Sequence, residues 1–431
     1  MFFSGKGRTH LDGHKELTND HVPRMIYDFE YVYLPLLNMG STSFEVLVEP
    51  GDEVKIGQKI AYRNDHFYMP IYATVSGVVE GIEKMMTVSL IYAQHIKIKN
   101  DFKYERVDAA LNLDIETATK EEIVGGIKEA GLAGRGGSGF PTYIKYSGNS
   151  QIDTLLINGV ECEPYITVDY QVMLQYTERF ILGTRFLMKA CGAPKAIIAI
   201  KKGKKDLVKK LEKALEGIDN IEIKEVPDVY PMGWERTLIQ EIFNLDYDKL
   251  PSEIGIVVNN STTALKVAFA LTIGLRHITQ LTVSGNALNS PTNVVVPTGA
   301  RVCDIVEKIG GYKEDVSPTT TKLVMGGPMM GKAIVTDEVA ITSYTNAALF
   351  LYDHELEERA CLRCSRCVDY CPSGLQSVAI KDAERAQDVE MLKKLRADTC
   401  VECGLCTYIC PSRIQVTDYT SKGKKRVLSA K

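Results

Sequence analysis

Apolar and polar residues alternate along FEVLVEPGDEVKIGQKIAY, Phe44 to Tyr62. A period of two puts one face of each segment on a half-buried sheet, and Pro50-Gly51-Asp52 and Gly57-Gln58 supply the turns. PIYATVSGVVEGIE, Pro70 to Glu83, repeats that texture with Gly77 inside it. The period changes near Thr119. Thr119 and Glu122 form a T-x-x-E capping box, Ile123, Ile127 and Ala130 follow at near-helical spacing, and Gly131 can end the helix. Short apolar runs then alternate with helical patterns. TLLI (Thr154 to Ile157), AIIAI (Ala196 to Ile200) and IGIVV (Ile254 to Val258) read as buried strands. DLVKKLEKALEGI (Asp206 to Ile218) reads as an amphipathic helix, and another helix begins after Asn260. This order predicts an α/β domain with a largely parallel sheet.

A smaller unit follows. LTVSGN (Leu281 to Asn286), NVVVPTG (Asn293 to Gly299) and the helical ARVCDIVEKIGG suggest a β-grasp-like module. MGGPMMG, Met325 to Gly331, is a tight glycine-rich turn. The chain of 431 residues has room for two to four domains. Its 45% hydrophobic and 25% charged content is that of a globular protein, and a net charge of −4 argues against nucleic acid or another polyanion as partner. No segment approaches the ~18 apolar residues that span a bilayer. The best candidate, Ala264 to Leu275, is short, contains Lys266 and reads as a buried helix. A membrane role would therefore require docking on something else. The opening MFFSGKGRTH lacks the apolar core of a signal peptide.

Eight of the eleven cysteines fall in two copies of C-x-x-C-x-x-C-x-x-x-C-P, at Cys361 to Pro372 and Cys400 to Pro411. Three thiolates two residues apart wrap one side of an inorganic cluster, and the fourth, before proline, ligates the other cluster. Cys361, Cys364, Cys367 and Cys410 are thus expected to hold one [4Fe–4S] cluster, and Cys400, Cys403, Cys406 and Cys371 a second. Structural zinc needs two C-x-x-C pairs and no third cysteine in tight sequence. Disulfides need an oxidising compartment. Arg359, Arg363 and Arg366 surround the first loop, whereas Asp398 and Glu402 flank the second. Reduction adds negative charge, so the first cluster is expected to have the higher potential; a solvated surface is the alternative reading of these charges. Cys162, Cys191 and Cys303 read as small buried hydrophobes.

GLAGRGGSGFPTYIKY, Gly131 to Tyr146, is the second strong signal. Gly134-Arg135-Gly136-Gly137-Ser138-Gly139 is not a standard dinucleotide fingerprint, because a helix rather than a strand precedes it. Its glycines still let main-chain N–H groups approach a phosphate or a flat ring. A flexible surface loop is the alternative.

Three further segments decide between these: INGVECEPYITVDY after a strand, GWERTLI after Tyr230-Pro231, and VVNNSTTAL at a strand end and helix start. In order and spacing they resemble the flavin subunit of respiratory complex I. The first hundred residues resemble the barrel-sandwich domains that carry biotin or lipoate, but the hairpin tip RNDHFYM (Arg63 to Met69) has no attachment lysine. With the opening GKGRTHLDGHKELT and the double cysteine motif, nearly the whole chain resembles the RnfC family of the Rnf electron-transport complexes.

That resemblance implies FMN wrapped by Gly134, Arg135, Gly136, Gly137 and Gly139, with Phe140 at the adenine or flavin edge and Lys145 near flavin and nicotinamide. Asn158, Glu161 and Glu163 match the acidic N-x-x-E-x-E-P segment, Glu235 a glutamate of the nicotinamide pocket, and Asn259, Asn260 and Thr263 the FMN-holding N-N-x-x-T motif. Lys145, Glu163 and Glu235 are the implied catalytic groups. The chain departs from complex I relatives at Val160, Trp234 and Gly148, where an acid, a glutamate and an aromatic are usual. The implied fold is multidomain α/β: a barrel-sandwich (1–105), an FMN/NADH-binding α/β domain (106–276), an SLBB-like β-grasp module (277–345) and a two-cluster ferredoxin-like domain (346–431). The implied activity is electron exchange between NADH and partner subunits through FMN and two clusters. The partners would be membrane and ferredoxin-like subunits, with ferredoxin reached indirectly, at the cytoplasmic face of a cell membrane. A soluble relative feeding cobalamin reduction or an amino-acid reductase, and a flavin-free relay, are the alternatives.

Overall fold

The computed structural model describes residues 7–108, 110–135, 139–148, 150–316, 320–353 and 357–430. The first six residues and Gly136, Gly137 and Ser138 of the glycine loop lie outside the described residues.

The alternating N-terminal segments form two facing antiparallel sheets. One orders Tyr31–Pro35, Tyr92–Asn100, Gly77–Met86 and Glu53–Val54; the other orders Phe44–Val46, Lys59–Arg63 and Met69–Tyr72. Val32, Leu34, Ile60, Val79, Ile96 and Ile98 fill the space between them. These are inward members of the period-two pattern.

The central domain carries four parallel strands in the order Ile221–Val226, Lys195–Lys201, Thr154–Gly159, Ile256–Asn260. Both faces are covered, which is why its strands read as unbroken apolar runs. On one face lie the helices Lys120–Glu129, Thr177–Cys191 and Ser261–Ile273, with Ile123, Phe180, Phe186, Leu265 and Leu271 in the core. On the other lies Glu235–Phe243, with Leu238 and Ile239 against Leu156 and Val258. The capping box closes reciprocally: the Glu122 N–H donates to Thr119 Oγ1 at 3.2 Å and the Thr119 N–H to Glu122 Oε2 at 2.8 Å. The apolar segment from Ala264 is a buried helix, and its Lys266 Nζ donates to the Ser343 carbonyl at 2.7 Å.

The β-grasp sheet has six strands, ordered Arg24–Met25, Thr292–Pro297, Ile278–Ser284, Ala347–Tyr352, Thr321–Met325, Lys332–Ile334. Val302–Lys308 packs on it through Val302, Ile305 and Val306. Strands from outside 277–345 join this sheet. Ala347–Tyr352 is an interior strand of this sheet, hydrogen-bonded on both sides, so the module runs to Tyr352 rather than ending at 345. Its apolar run alone does not separate it from the approach to the cysteine loop. Arg24–Met25 adds an edge strand to the β-grasp sheet. From 357 to 430 the described residues form helices joined by loops, with no strand among them. Two short helices, Arg366–Asp369 and Leu405–Tyr408, carry the third cysteine of each motif, and Ile380, Leu392 and Val427 form the core beneath.

Candidate electron-transfer centre

The cysteines gather into two sets. One cavity is lined by Cys361, Cys364, Cys367 and Cys410, with Leu362 and Lys381. A second is lined by Cys371, Cys400, Cys403 and Cys406, with Pro372 and Thr417. The fourth cysteine of each motif thus faces the other motif's cavity. Among the described residues no three His, Cys, Asp or Glu side chains converge on a single metal ion. Four cysteines around each cavity match the ligand number of a four-iron cluster. Burial and the neighbouring thiols push the Cys406 thiol up to about 12. Four thiolates gathered on one cavity require a cationic centre to offset their charge, so both sets fit a cluster. Two of the charges noted in the sequence are paired: Arg363 with Asp382 at 2.7 Å, and Glu402 with Lys424 at 2.8 Å. The remaining cysteines are thiols: Cys191 is buried in the central core, while Cys162 and Cys303 are partly exposed.

The second site forms at the carboxyl ends of Thr154–Gly159 and Ile256–Asn260, where α/β sheets bind ligands. The register sets Asn158 beside Asn260. Asn158 Nδ2 donates to the Gly233 carbonyl at 2.8 Å and so ties the N-x-x-E-x-E-P loop to the G-W-E loop. Asn260 Oδ1 caps the helix at the Thr263 N–H (3.2 Å), and its Nδ2 donates to Asp169 Oδ2 at 2.7 Å. Asn259 Nδ2 donates to the Tyr146 hydroxyl at 2.9 Å. The Arg135 N–H approaches Thr263 Oγ1 at 3.4 Å, and its guanidinium donates to the Gln280 carbonyl at 2.6 Å. Arg135 Nε and Nη1 and Ser261 Oγ are buried with no hydrogen-bond partner among the described residues. Unpaired buried donors are rare. Beside a helix N-terminus they fit an acceptor-rich ligand such as the phosphate and ring of a flavin nucleotide. The Gly134 N–H donates to the Phe140 carbonyl at 2.8 Å, closing the described ends of the glycine loop on each other.

Lys145 lies near this centre. Its side chain is open to solvent, yet its Nζ turns inward and donates to the Val258 carbonyl at 2.9 Å. Desolvation lowers its pKa, against the charge of Glu235. Glu235 opens its helix and accepts from the Tyr247 hydroxyl at 2.8 Å. Glu161 sits at φ 45°, in the left-handed region, and accepts the Asp169 N–H at 2.7 Å. Burial raises Glu161 and lowers Lys15, which faces it. Glu163 is one of the implied catalytic groups. Its carboxylate accepts the Met329 and Met330 N–H groups, each at 3.0 Å, within the turn Met325 to Gly331. A desolvated carboxylate must be hydrogen-bonded, and this turn supplies the donors.

The barrel-sandwich hairpin is docked here. Asn38 Nδ2 donates to the Gly139 carbonyl at 2.9 Å, the Tyr68 N–H reaches the Tyr143 hydroxyl at 3.2 Å, and Phe67 meets Phe140 edge-on, centroids 5.7 Å apart. Sequence reasoning missed Lys15, Asp169 and Tyr230. Lys15 Nζ donates to the carbonyls of Glu161 (3.0 Å), Glu163 (2.7 Å) and Ile166. The one signal for these three is their presence in or beside motifs already quoted.

Four family profiles match in chain order: an RnfC barrel sandwich hybrid domain over 3–103, a Nuo51 FMN-binding domain over 127–269, an SLBB domain over 280–333 and a 4Fe-4S dicluster domain over 360–414. The C subunit of the proton-translocating ferredoxin:NAD(+) oxidoreductase complex of Clostridium ljungdahlii is 31% identical over 87% of this chain and 83% of its own. The Na(+)-translocating counterpart from Acetobacterium woodii is 28% identical over 82% and 81%. The C subunit of the ion-translocating oxidoreductase complex of Vibrio cholerae is longer; it is 32% identical over 90% of this chain, and the match spans 50% of the relative. Among solved structures, an NAD+-reducing [NiFe]-hydrogenase in the H2-reduced state shares the fold at TM-score 0.50 and 18% identity, covering 75% of this chain and 63% of that one. With four domains in order and 31% identity across most of both sequences, the chain belongs to the RnfC family, the C subunits of ion-translocating ferredoxin:NAD(+) oxidoreductase complexes.

Proposed function

We propose that this chain is the NADH-oxidising flavin and iron–sulfur subunit of such a complex, passing electrons from NADH towards partner subunits, or in reverse. A bound flavin supplies the exchange between two-electron hydride transfer and one-electron transfer, and clusters carry single electrons. The residues present hold and orient these groups. Gly134, Arg135, Gly139 and the capped helix start at Asn260 to Thr263 would hold FMN, with Gly136 and Gly137 as the sequence implies. Lys145, anchored at the Val258 carbonyl, would present a donor to the reacting edge. Glu235, fixed by Tyr247, would orient the nicotinamide end. Glu163 acts by positioning. The eight cysteines hold the clusters in their crossed arrangement.

The single observation that carries this reading is a direct contact. The Tyr230 hydroxyl, from the loop leading into G-W-E, donates to the Cys403 carbonyl at 2.7 Å. The flavin-type site and a cysteine cavity are therefore one packed unit, as a short electron path requires. Among the described residues no helix is long and apolar enough to cross a membrane. We assign ion movement to membrane subunits, with this chain bound at the cytoplasmic face and ferredoxin reached through a ferredoxin-like subunit. Anaerobic purification with quantification of FMN and iron tests the assignment. One FMN and about eight irons per chain are expected; iron without flavin, even after adding FMN, would overturn it.

A further inference from the structure

The two cysteine cavities differ in what surrounds them. Three separate elements grip the second. Tyr230, 1% exposed, reaches the Cys403 carbonyl and packs with Leu11, Leu405, Cys162 and Met329. The turn Met325 to Gly331 presses on Gly404, where a Cβ would lie 2.6 Å from the Met329 carbonyl oxygen. Residues 7–11 are the third element. Thr9 exchanges main-chain hydrogen bonds with Tyr230 at 3.0 and 2.7 Å. A Cβ on Gly7 would overlap the Tyr370 carbonyl and lie 2.7 Å from the Cys371 N. The turn is itself held by Glu163, and Gly327 leaves the space that Glu163 fills, since a Cβ there would overlap Oε2.

Among the described residues the first cavity has no such grip. Cys364 is exposed, and Leu362 beside it is 69% exposed. Among the described residues, the hydrogen bonds around Arg359 to Cys367 run to Ser377, Asp382 and Ser412, all within the ferredoxin-like unit. Cys403, by contrast, is 8% exposed.

We propose that Tyr230, the Met325 to Gly331 turn and residues 7–11 form a socket that seats the loops of Cys371 and Cys403 against the flavin-type site. The cluster on Cys371, Cys400, Cys403 and Cys406 is then the inner one, and the cluster on Cys361, Cys364, Cys367 and Cys410 is the outer one that meets a redox partner. Tyr230 is a positioning residue: it orients the peptide carrying Cys403, and main-chain dipoles around the sulfurs set a cluster's potential. The socket rests on the proposed function only in requiring that both clusters be present.

The test is an anaerobic redox titration of the full chain, followed by EPR and driven by dithionite, so that it does not depend on NADH or flavin. A soluble chelated dysprosium complex identifies the outer cluster, because it speeds the relaxation of the exposed signal. Tyr230→Phe removes only the hydroxyl, and Arg363→Gln alters the charge beside Cys364. Tyr230→Phe is expected to shift the midpoint of the dysprosium-insensitive signal alone, and Arg363→Gln that of the sensitive one. Both variants moving the same signal, Tyr230→Phe moving the exposed signal or neither, or equal dysprosium effects on the two clusters would each overturn the proposal. If the two signals behave as expected while flavin is absent, the proposed NADH-oxidising function fails and the socket stands.

Discussion

Glu163 and Met329 join two domains: the carboxylate of the N-x-x-E-x-E-P loop accepts the Met329 N–H at 3.0 Å, and the adjacent Met330 N–H at the same distance. Burial raises Glu163 from 4.5 to about 7. The folded chain therefore holds this proton more tightly than the unfolded chain does between about pH 4.5 and about pH 7. The contribution of Glu163 to stability falls as pH rises through that window and is constant above it. Glu163→Gln removes this dependence. Its amide offers one oxygen to two donors, which costs about 1–3 kcal/mol for the group left unpaired. Unfolding midpoints of both proteins between about pH 5 and about pH 8 check this; parallel curves would contradict it.

Arg135 keeps two buried guanidinium nitrogens without partners among the described residues. In Arg135→Gln those donors are lost. FMN is expected to wash out of the variant on gel filtration, while iron content and far-ultraviolet circular dichroism stay at wild-type values. Full retention of FMN would remove Arg135 from the flavin site.

Lys145 Nζ is held by the Val258 carbonyl, its hydrogen-bond acceptor. Lys145→Gln is expected to slow reduction by NADH about 100-fold, the typical loss for one preorganised donor. FMN and iron should be retained. A variant that keeps the wild-type rate would exclude this role.

Asn38 fixes the barrel-sandwich to the glycine loop through the Gly139 carbonyl. Asn38→Ala leaves a buried carbonyl unpaired, at a cost of about 1–3 kcal/mol. Thermal unfolding should shift down and FMN bind more weakly, with iron unchanged. Loss of iron instead would mean that the hairpin supports the cluster domain.

Periodicity made most of the fold legible. The change of period at Thr119 marked the central domain, and the Thr119–Glu122 box closes as its spacing implies. Boundaries were less legible. Ala347–Tyr352 looks like any short apolar run, and only its partners in the sheet assign it to the β-grasp module. The same holds at the site. Cysteine spacing encodes the crossed cavities because ligands and fold lie close in sequence. Lys15 and Glu161 stand 146 positions apart, and Tyr230 and Cys403 stand 173 apart. No local pattern marks either pair. For Glu163, a place in an acidic motif suggested chemistry, but which groups it would face depended on a turn whose Met329 is 166 residues away.

The central claim is that one chain links NADH to the clusters through flavin. The direct measurement is an anaerobic absorption and EPR spectrum of the purified chain before and after adding NADH. Flavin bleaching together with the appearance of reduced-cluster signals is the predicted result. Clusters that respond to dithionite but not to NADH, with FMN supplied, would contradict it.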